Sequence, residues 1–325
     1  MKIVHIILTS HFAGSERYAI ELANAQSKFH DVSIILASAG AESRPDALAH
    51  RIDSDVKILI LKNKFSFLQI FETRKLIKQL CPEVAHAHLS GACRALSGLK
   101  SSCLRIATLH IHYKKQQHKK LDALIAIAPW QINAIPDQLK KHTQQIDNWT
   151  EIHSANNSDN TALRKQVDIA EDALVFGALG RVVESKGFDT LIKAFELANI
   201  PNSRLVIVGQ GKQWQTLRNL AHKNVVMPGF WAKPTQWYSC FDIFVSSARS
   251  EPFGLVFLEA MASVLPILAT ASQGAKHLQP LINTALVPID DIKALSEGLL
   301  SIAAQPRVRK QYDLSKYALS EKIDE

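Results

Sequence analysis

The chain lacks most features that would commit it to a membrane, a disulfide scaffold or a metal cluster. Its longest apolar runs, such as Leu124–Pro129 and Leu205–Val208, are strand-sized, far below the roughly 18 residues of a membrane span. The four cysteines, Cys81, Cys93, Cys103 and Cys240, show no Cys-x-x-Cys spacing. They read as reduced thiols of a cytosolic protein rather than a zinc or disulfide set. Met1-Lys-Ile-Val-His-Ile-Ile-Leu-Thr9 has one lysine and too short an apolar run for a secretory leader, so it is expected to be a buried first strand. No short-period repeat or low-complexity segment occurs. Basic segments without interleaved aromatics, and no nucleic-acid motif, argue against a nucleic-acid partner.

What is present is an ordinary globular composition, 47% hydrophobic and 21% charged over 325 residues, a length that suits two domains. The charge is uneven. Residues 1–150 carry 20 Lys+Arg against 12 Asp+Glu, whereas residues 151–325 carry 18 of each. Local basic groups gather at Lys62 and Lys64, at Arg74, Lys75 and Lys78, at Lys114, Lys115, Lys119 and Lys120, and at Lys140 and Lys141. Each group alone is a solvated helix face. Together they favour an anionic partner, such as an acidic membrane surface or a phosphorylated glycolipid.

Apolar, β-branched runs alternate with amphipathic segments throughout, which predicts parallel α/β architecture. Strands are expected at Ile3–Leu8, Val32–Leu36, Val56–Ile60, Val84–His86, Arg105–Leu109 and Ala123–Ile127, with helices starting near Ser15, Ser66, Ala92 and Trp130. Thr150–Val167 is polar, turn-prone and aperiodic, so it reads as a linker. A second series follows: strands Leu174–Leu179, Arg204–Val208, Val225–Met227, Ile243–Val245 and Pro266–Ala269, with helices near Gly187, Lys212, Pro234, Gly254 and Asp291. The fold class is α/β, with two Rossmann-like domains facing across a cleft. The expected domains are 1–150, a linker at 151–170, 171–305, and a C-terminal helix within 306–325 packing back on the N-terminal domain.

Two motifs carry chemistry. Arg249-Ser-Glu-Pro-Phe-Gly-Leu-Val-Phe-Leu-Glu-Ala-Met-Ala262 sets Glu251 and Glu259 eight residues apart around a predicted helix start. N–H groups of that first turn suit a phosphate. An amphipathic core helix with an acidic first turn explains Glu251 but not Glu259, which sits amid apolar neighbours and needs a partner. Upstream, Gly180-Arg-Val-Val-Glu-Ser-Lys-Gly-Phe-Asp189 ends a strand with Arg181 and Lys186 flanking a short loop. Two cations there form a clamp for a diphosphate. Asp53-Ser-Asp55 is more simply a polar turn than a metal site, and Gly209-Gln-Gly211 lacks the third glycine of a dinucleotide fingerprint.

In this order, Gly180-Arg-x-x-x-x-Lys-Gly, Glu251-Pro-Phe-Gly and Glu259 resemble a retaining glycosyltransferase of family 4, which has the GT-B fold. Ile7-Leu-Thr-Ser-His-Phe-Ala-Gly-Ser-Glu-Arg17 is similar to that family's first strand and Gly-Gly-x-Glu-Arg turn, and Ala107-Thr-Leu-His110 to its strand ending in histidine. The resemblance implies that Arg181 and Lys186 hold the donor diphosphate and Glu251 the donor sugar. The N–H groups of Gly254, Leu255 and Val256 would contact sugar and phosphate, Glu259 the ribose, and Gly229-Phe230 the base. Gly14 would let the N-terminal loop approach the diphosphate and acceptor, and His110 would lie near the transferred sugar. His86-x-His88 and His110-x-His112 put alternate residues on one strand face, so a metal cluster competes with that role, without an accompanying carboxylate or thiolate set.

Two segments depart from the family's pattern. Thr270-Ala-Ser-Gln-Gly-Ala-Lys-His277 stands where a Gly-Gly-x-x-Glu turn is usual, and Ile146-Asp-Asn-Trp-Thr150 where Pro-Asn-Gly is usual. The function implied is transfer of a sugar from a UDP- or GDP-linked donor to a glycan or glycolipid hydroxyl, with retention, no cofactor and no metal. Lipopolysaccharide or surface-polysaccharide assembly at the inner face of the cell membrane is the expected setting. The competing readings are a nucleotide-sugar epimerase or hydrolase, which turns over donor alone, and a non-catalytic glycan- or nucleotide-binding protein.

Overall fold

Strand-length apolar runs separated by amphipathic helices assemble into two all-parallel sheets. The computed structural model describes residues 1–100, 102–150 and 161–323. The chain divides into two units, Met1–Asn148 with Leu319–Glu325, and Trp149–Ala318. The first sheet holds β1 (Lys2–Ile7), β2 (Asp31–Leu36), β3 (Lys57–Ile60), β4 (Val84–His88), β5 (Leu104–Leu109), β6 (Ala123–Ala126) and β7 (Thr143–Gln145), in the order β3-β2-β1-β4-β5-β6-β7. Its helices are α1 (Gly14–Gln26), α2 (Ser66–Leu80) and α3 (Leu89–Ser97), with single turns α4 (Lys115–His118), α5 (Pro129–Ile132) and α6 (Asp137–Lys140).

The second unit opens with α7 (Thr161–Gln166) and continues through β8 (Leu174–Leu179), α8 (Phe188–Ala198), β9 (Ser203–Val208), α9 (Trp214–Leu220) and β10 (Val225–Gly229). It is completed by β11 (Ile243–Ser246), α10 (Leu255–Ala262), β12 (Ile267–Ala269), α11 (Gln273–Ile282) and α12 (Ile292–Ala303). Its strand order is β10-β9-β8-β11-β12.

Strands covered by helices on both faces must be apolar on both, and β1 shows how. Ile3 and Ile7 pack with Ala19, Ile20 and Ala23 of α1, while Val4 and Ile6 pack on the other face with Ile77, Ala92 and Leu96. In the second unit Leu191 and Phe195 of α8 meet Leu295 and Leu299 of α12 over Phe176 and Leu205. Asp291 starts α12 by accepting from the Ala294 N–H at 2.8 Å, a cap worth about 1 kcal/mol. In both sheets the strand order reverses beside the first strand of the unit, between β1 and β4 and between β8 and β11. Open α/β sheets bind ligands beyond the carboxyl ends of strands at such points.

Three local expectations change. Of the stretch read as a linker, residues 151–160 lie outside the described residues, but 161–166 are helical. Arg164, buried at the end of this helix, donates to the Cys240 carbonyl at 2.8 Å and pairs with Asp242 at 3.1 Å. Residues 306–325 do not form one helix. Lys310 N–H and Tyr312 OH donate to the Val264 and Leu265 carbonyls of the second unit, which holds this stretch out of helix. Among the described residues of this stretch a 3₁₀ turn forms at Ser315–Tyr317 and only α13 (Leu319–Ile323) is α-helical, and it packs on α1. The departure at Thr270–His277 opens a helix, α11, at Gln273.

Candidate active site

The carboxyl ends of β8 and β11 bring both sequence motifs together. Gly180 follows β8 at φ +153° and Gly187 turns the chain at φ +62°. A side chain at Gly187 would meet the Ser247 carbonyl at 2.2 Å, and one at Gly209 would meet the Gly180 carbonyl at 1.9 Å. Glycine is therefore what lets the loops after β8, β9 and β11 lie against one another. The result is an ion pair between Lys186 Nζ and Glu251 Oε2, whose side chains are only 18% and 12% exposed. Arg181, on the same loop, is exposed, and among the described residues its guanidinium meets no protein partner. One cation of the predicted clamp is thus pre-positioned by a carboxylate and the other is open to a ligand.

Arg249, to which the sequence reading gave no role, ties the two loops together. It forks onto Asp189 with two bonds of 2.8 Å, reaches Asp290 at 2.7 Å, and donates to the Glu184 carbonyl at 2.7 Å. The guanidinium holds the Asp189 carboxyl below its usual range, as a bidentate cation should. Its position at the head of the Glu251 motif was the one available signal.

Helix α10 begins at Gly254, whose φ of +94° places it in the left-handed region. A side chain there would strike the Phe257 ring at 2.3 Å. No side-chain oxygen caps this helix, so the first-turn N–H groups of Leu255 and Val256 sit at an end suited to an anion. Helix α11 fixes the motif from beneath: Gly274 N–H donates to the Glu251 carbonyl at 2.7 Å. A Cβ on Gly274 would lie 2.1 Å from the Phe253 carbonyl. The single glycine of the departing segment is thus the one the packing requires. His277 lies against the Phe253 ring.

Glu259 is half-buried and accepts from the Tyr238 hydroxyl at 2.6 Å. The sequence demanded a partner for this carboxylate, and the fold supplies a phenol from a 3₁₀ turn at Pro234–Cys240. Gly229 ends β10 at φ +86°, and Phe230 beyond it is 48% exposed, an apolar face in search of a flat partner.

In the first unit, Gly14 is exposed at the start of α1. Glu16, one turn in, is buried and accepts from the Thr9 hydroxyl at 2.7 Å. His110 follows β5 and is buried beside His88, with Tyr18 edge-on to its ring. Burial lowers its pKa to about 3, so it is a neutral hydrogen-bonding group, not a proton carrier, near neutral pH. The His86 and His88 rings lie tilted against each other with centroids 4.2 Å apart. The expected fourth member, His112, is exposed and outside the group. His5 of β1 takes that place, in register with His86, a pairing that only the sheet order reveals. Nitrogens of His5, His86 and His88 lie within 4.8 Å of one another. Asp53 and Asp55 occupy an exposed turn before β3.

Two Rossmann-like units, each with polar side chains gathered at its strand-order reversal, define the GT-B class of glycosyltransferase, and solved structures agree. Anabaena HepE in complex with UDP and glucose matches 99% of this chain and 93% of its own, with a TM-score of 0.76 at 19% identity. Residues 159–320 match the family model "Glycosyl transferases group 1" and residues 12–158 match "Glycosyltransferase Family 4". The chain belongs to glycosyltransferase family 4, whose members are retaining enzymes. The lipopolysaccharide core biosynthesis glycosyltransferase LpsE of Rhizobium meliloti is 26% identical over 322 residues, 95% of this chain and 91% of that one. A GDP-mannose-dependent phosphatidylinositol monomannoside mannosyltransferase of Corynebacterium glutamicum is 33% identical over 162 residues, 46% of this chain and 42% of its own.

Proposed function

We propose that this enzyme adds a sugar from a UDP- or GDP-linked donor to a hydroxyl of a lipid-anchored core oligosaccharide. The observation that carries the donor half is the junction of Lys186, Glu251 and the uncapped start of α10 at the strand-order reversal of the second unit. Lys186 and Arg181 hold the diphosphate. The N–H groups of Gly254, Leu255 and Val256 meet phosphate and sugar, and Glu251 meets sugar hydroxyls. Glu259, aligned by Tyr238, takes the ribose, and Phe230 stacks on the base. His110 contacts the transferred sugar. The acceptor hydroxyl attacks the anomeric carbon on the face from which the diphosphate departs. The carbon–oxygen bond to the β-phosphate breaks as the glycosidic bond forms, and the acceptor's proton passes to the leaving phosphate oxygen. Stabilising that departing charge is the main catalytic task.

Likeness to LpsE along nearly the whole chain supports a lipopolysaccharide core acceptor. A membrane-facing role has its own support in the first unit. Phe65, Phe67 and Phe71 at the start of α2 are each more than half exposed, and Lys62, Lys64, Lys75 and Lys78 are exposed around them. Helix α3 packs against both α2 and α4, so Lys115 and Lys119 belong to the same helical layer. No helix among the described residues is long and apolar enough to cross a membrane. We assign this layer to an anionic membrane surface at the inner face of the cell membrane, by interfacial aromatic and basic contact.

The test is a panel of UDP- and GDP-sugars offered with truncated lipopolysaccharide cores. One donor is consumed in step with acceptor, and proton NMR of the product shows the donor's anomeric configuration. Lys186→Ala and Glu251→Gln each reduce turnover by about a hundredfold or more. Donor consumption without acceptor would support the hydrolase or epimerase reading instead, and nucleotide binding without turnover a binding protein.

A further inference from the structure

Sugar transfer as described uses one histidine, yet four are buried together at the strand-order reversal of the first sheet. Three of them form a single hydrogen-bonded line that starts at Gln26, the last residue of α1. Gln26 Oε1 lies 2.8 Å from His5 Nε2, His5 Nδ1 lies 3.0 Å from His88 Nε2, and His88 Nδ1 lies 3.2 Å from His110 Nε2. His5 and His88 have no exposed surface and His110 has 8%. Burial keeps all three rings neutral near pH 7. His86 stands to one side, paired with the Thr108 hydroxyl at 2.8 Å.

A neutral imidazole has one N–H and one lone pair. In a line where each Nδ1 meets the next Nε2, only two proton arrangements satisfy every link, and they run in opposite directions. The group at the outer end chooses between them. With the Gln26 oxygen facing His5, the protons sit on Nε2 of His5, His88 and His110. The His110 Nδ1 is then left as a bare lone pair, and no protein group among the described residues meets it. A half-turn of the Gln26 amide would reverse all three rings and make the same atom a donor.

We propose that Gln26 is a positioning residue that fixes the tautomer of His110 through His5 and His88. His110 Nδ1 is thereby presented as a hydrogen-bond acceptor to a hydroxyl of the transferred sugar. This rests on the placement of His110 at that sugar in the reading above. No net proton moves along the line; it transmits only hydrogen-bond direction, as an outer partner does for a metal- or substrate-bound histidine. A metal held by His5, His86 and His88 is the competing use of these rings. Ligation would expel the proton between His5 and His88 and spread their nitrogens to about 3.3 Å around a tetrahedral ion, against 3.0 Å here.

The test is nitrogen-15 NMR of histidine-labelled full-length protein at neutral pH, comparing the natural chain with Gln26→Lys and Gln26→Leu. In the natural chain His110 Nε2 shows a pyrrole-type shift and Nδ1 a pyridine-type shift. Gln26→Lys, which can only donate, exchanges the two types at His5, His88 and His110 together. Gln26→Leu gives averaged shifts at all three. Transfer efficiency in Gln26→Lys falls about tenfold, the worth of one hydrogen bond, with the folded spectrum retained. A pyrrole-type His110 Nδ1 in the natural chain, or unchanged tautomers in both variants, overturns the relay. Stoichiometric zinc uptake that moves the His5 and His88 shifts assigns the rings to a metal instead. Tautomers that switch while transfer is unchanged overturn the link to the sugar. Failure of the natural chain to transfer any sugar counts against the functional reading and leaves the tautomer result to be judged separately.

Discussion

Four imidazoles buried in one place make the first unit acid-sensitive. Desolvation lowers His5 to about 4 and His110 to about 3, and puts His86 and His88 well below 6.5. Above about pH 6.5 folded and unfolded chains both carry these rings neutral, and their stability contribution is complete. As pH falls through that value the unfolded chain gains protons that the folded chain refuses. Each ring then removes up to about 1.4 kcal/mol per pH unit until its folded pKa is reached. Urea midpoints should therefore drop steeply from about pH 6.5 to about 4, and His86→Gln should flatten the slope by about one proton. Midpoints constant over that window would contradict the burial of these rings. At this scale the sequence was legible where a charged side chain followed a strand and preceded a helix, as at Arg181, Lys186 and Glu251, or stood among apolar neighbours, as at Glu259. Tyr238, Arg249 and His5 could not, because their partners lie 21, 60 and 83 residues away and only the folded topology supplies them.

Helix α2 shows a property of an element rather than of any residue. Phe67, Phe71, Lys75 and Lys78 recur at helical spacing on its exposed side, while Gln69, Thr73 and Ile77 face inward. Arg74 rests over the Phe71 ring. Phe67→Ser with Phe71→Ser should reduce co-sedimentation with phosphatidylglycerol vesicles by about tenfold or more, since each buried ring contributes on the order of 1.5–3 kcal/mol. Lys114, Lys115, Lys119 and Lys120 changed to glutamine should weaken it further and remove its salt dependence. Unchanged sedimentation in the phenylalanine pair would remove α2 from the membrane contact. Elements with strong apolar periodicity were readable to within a residue or two, β8 and α12 among them. Strand β7 was missed because Thr143-Gln-Gln145 is an edge with no apolar alternation. Helix α11 was missed for a different reason. Its buried Gly274, Ala275, Leu278 and Ile282 have helical spacing, but Gly274 and Pro280 suggest a turn when read locally.

Across the whole chain, charge and chemistry are divided between the units. The excess of cations lies in residues 1–150, with basic groups in and beside α2 and α4, whereas the proposed diphosphate cradle belongs to the near-neutral second unit. The two-sheet parallel architecture followed from alternation of strand and helix signals alone. The strand orders, and hence where the two reversals fall, came only from the fold. Calorimetric titration of UDP and GDP into the natural chain, Arg181→Ala and Lys186→Ala tests the cradle most directly. One nucleotide should bind the natural chain, and each variant should weaken it by about tenfold or more, the worth of a charge-assisted hydrogen bond. Equal affinity in all three proteins would contradict the assignment of the diphosphate to this site.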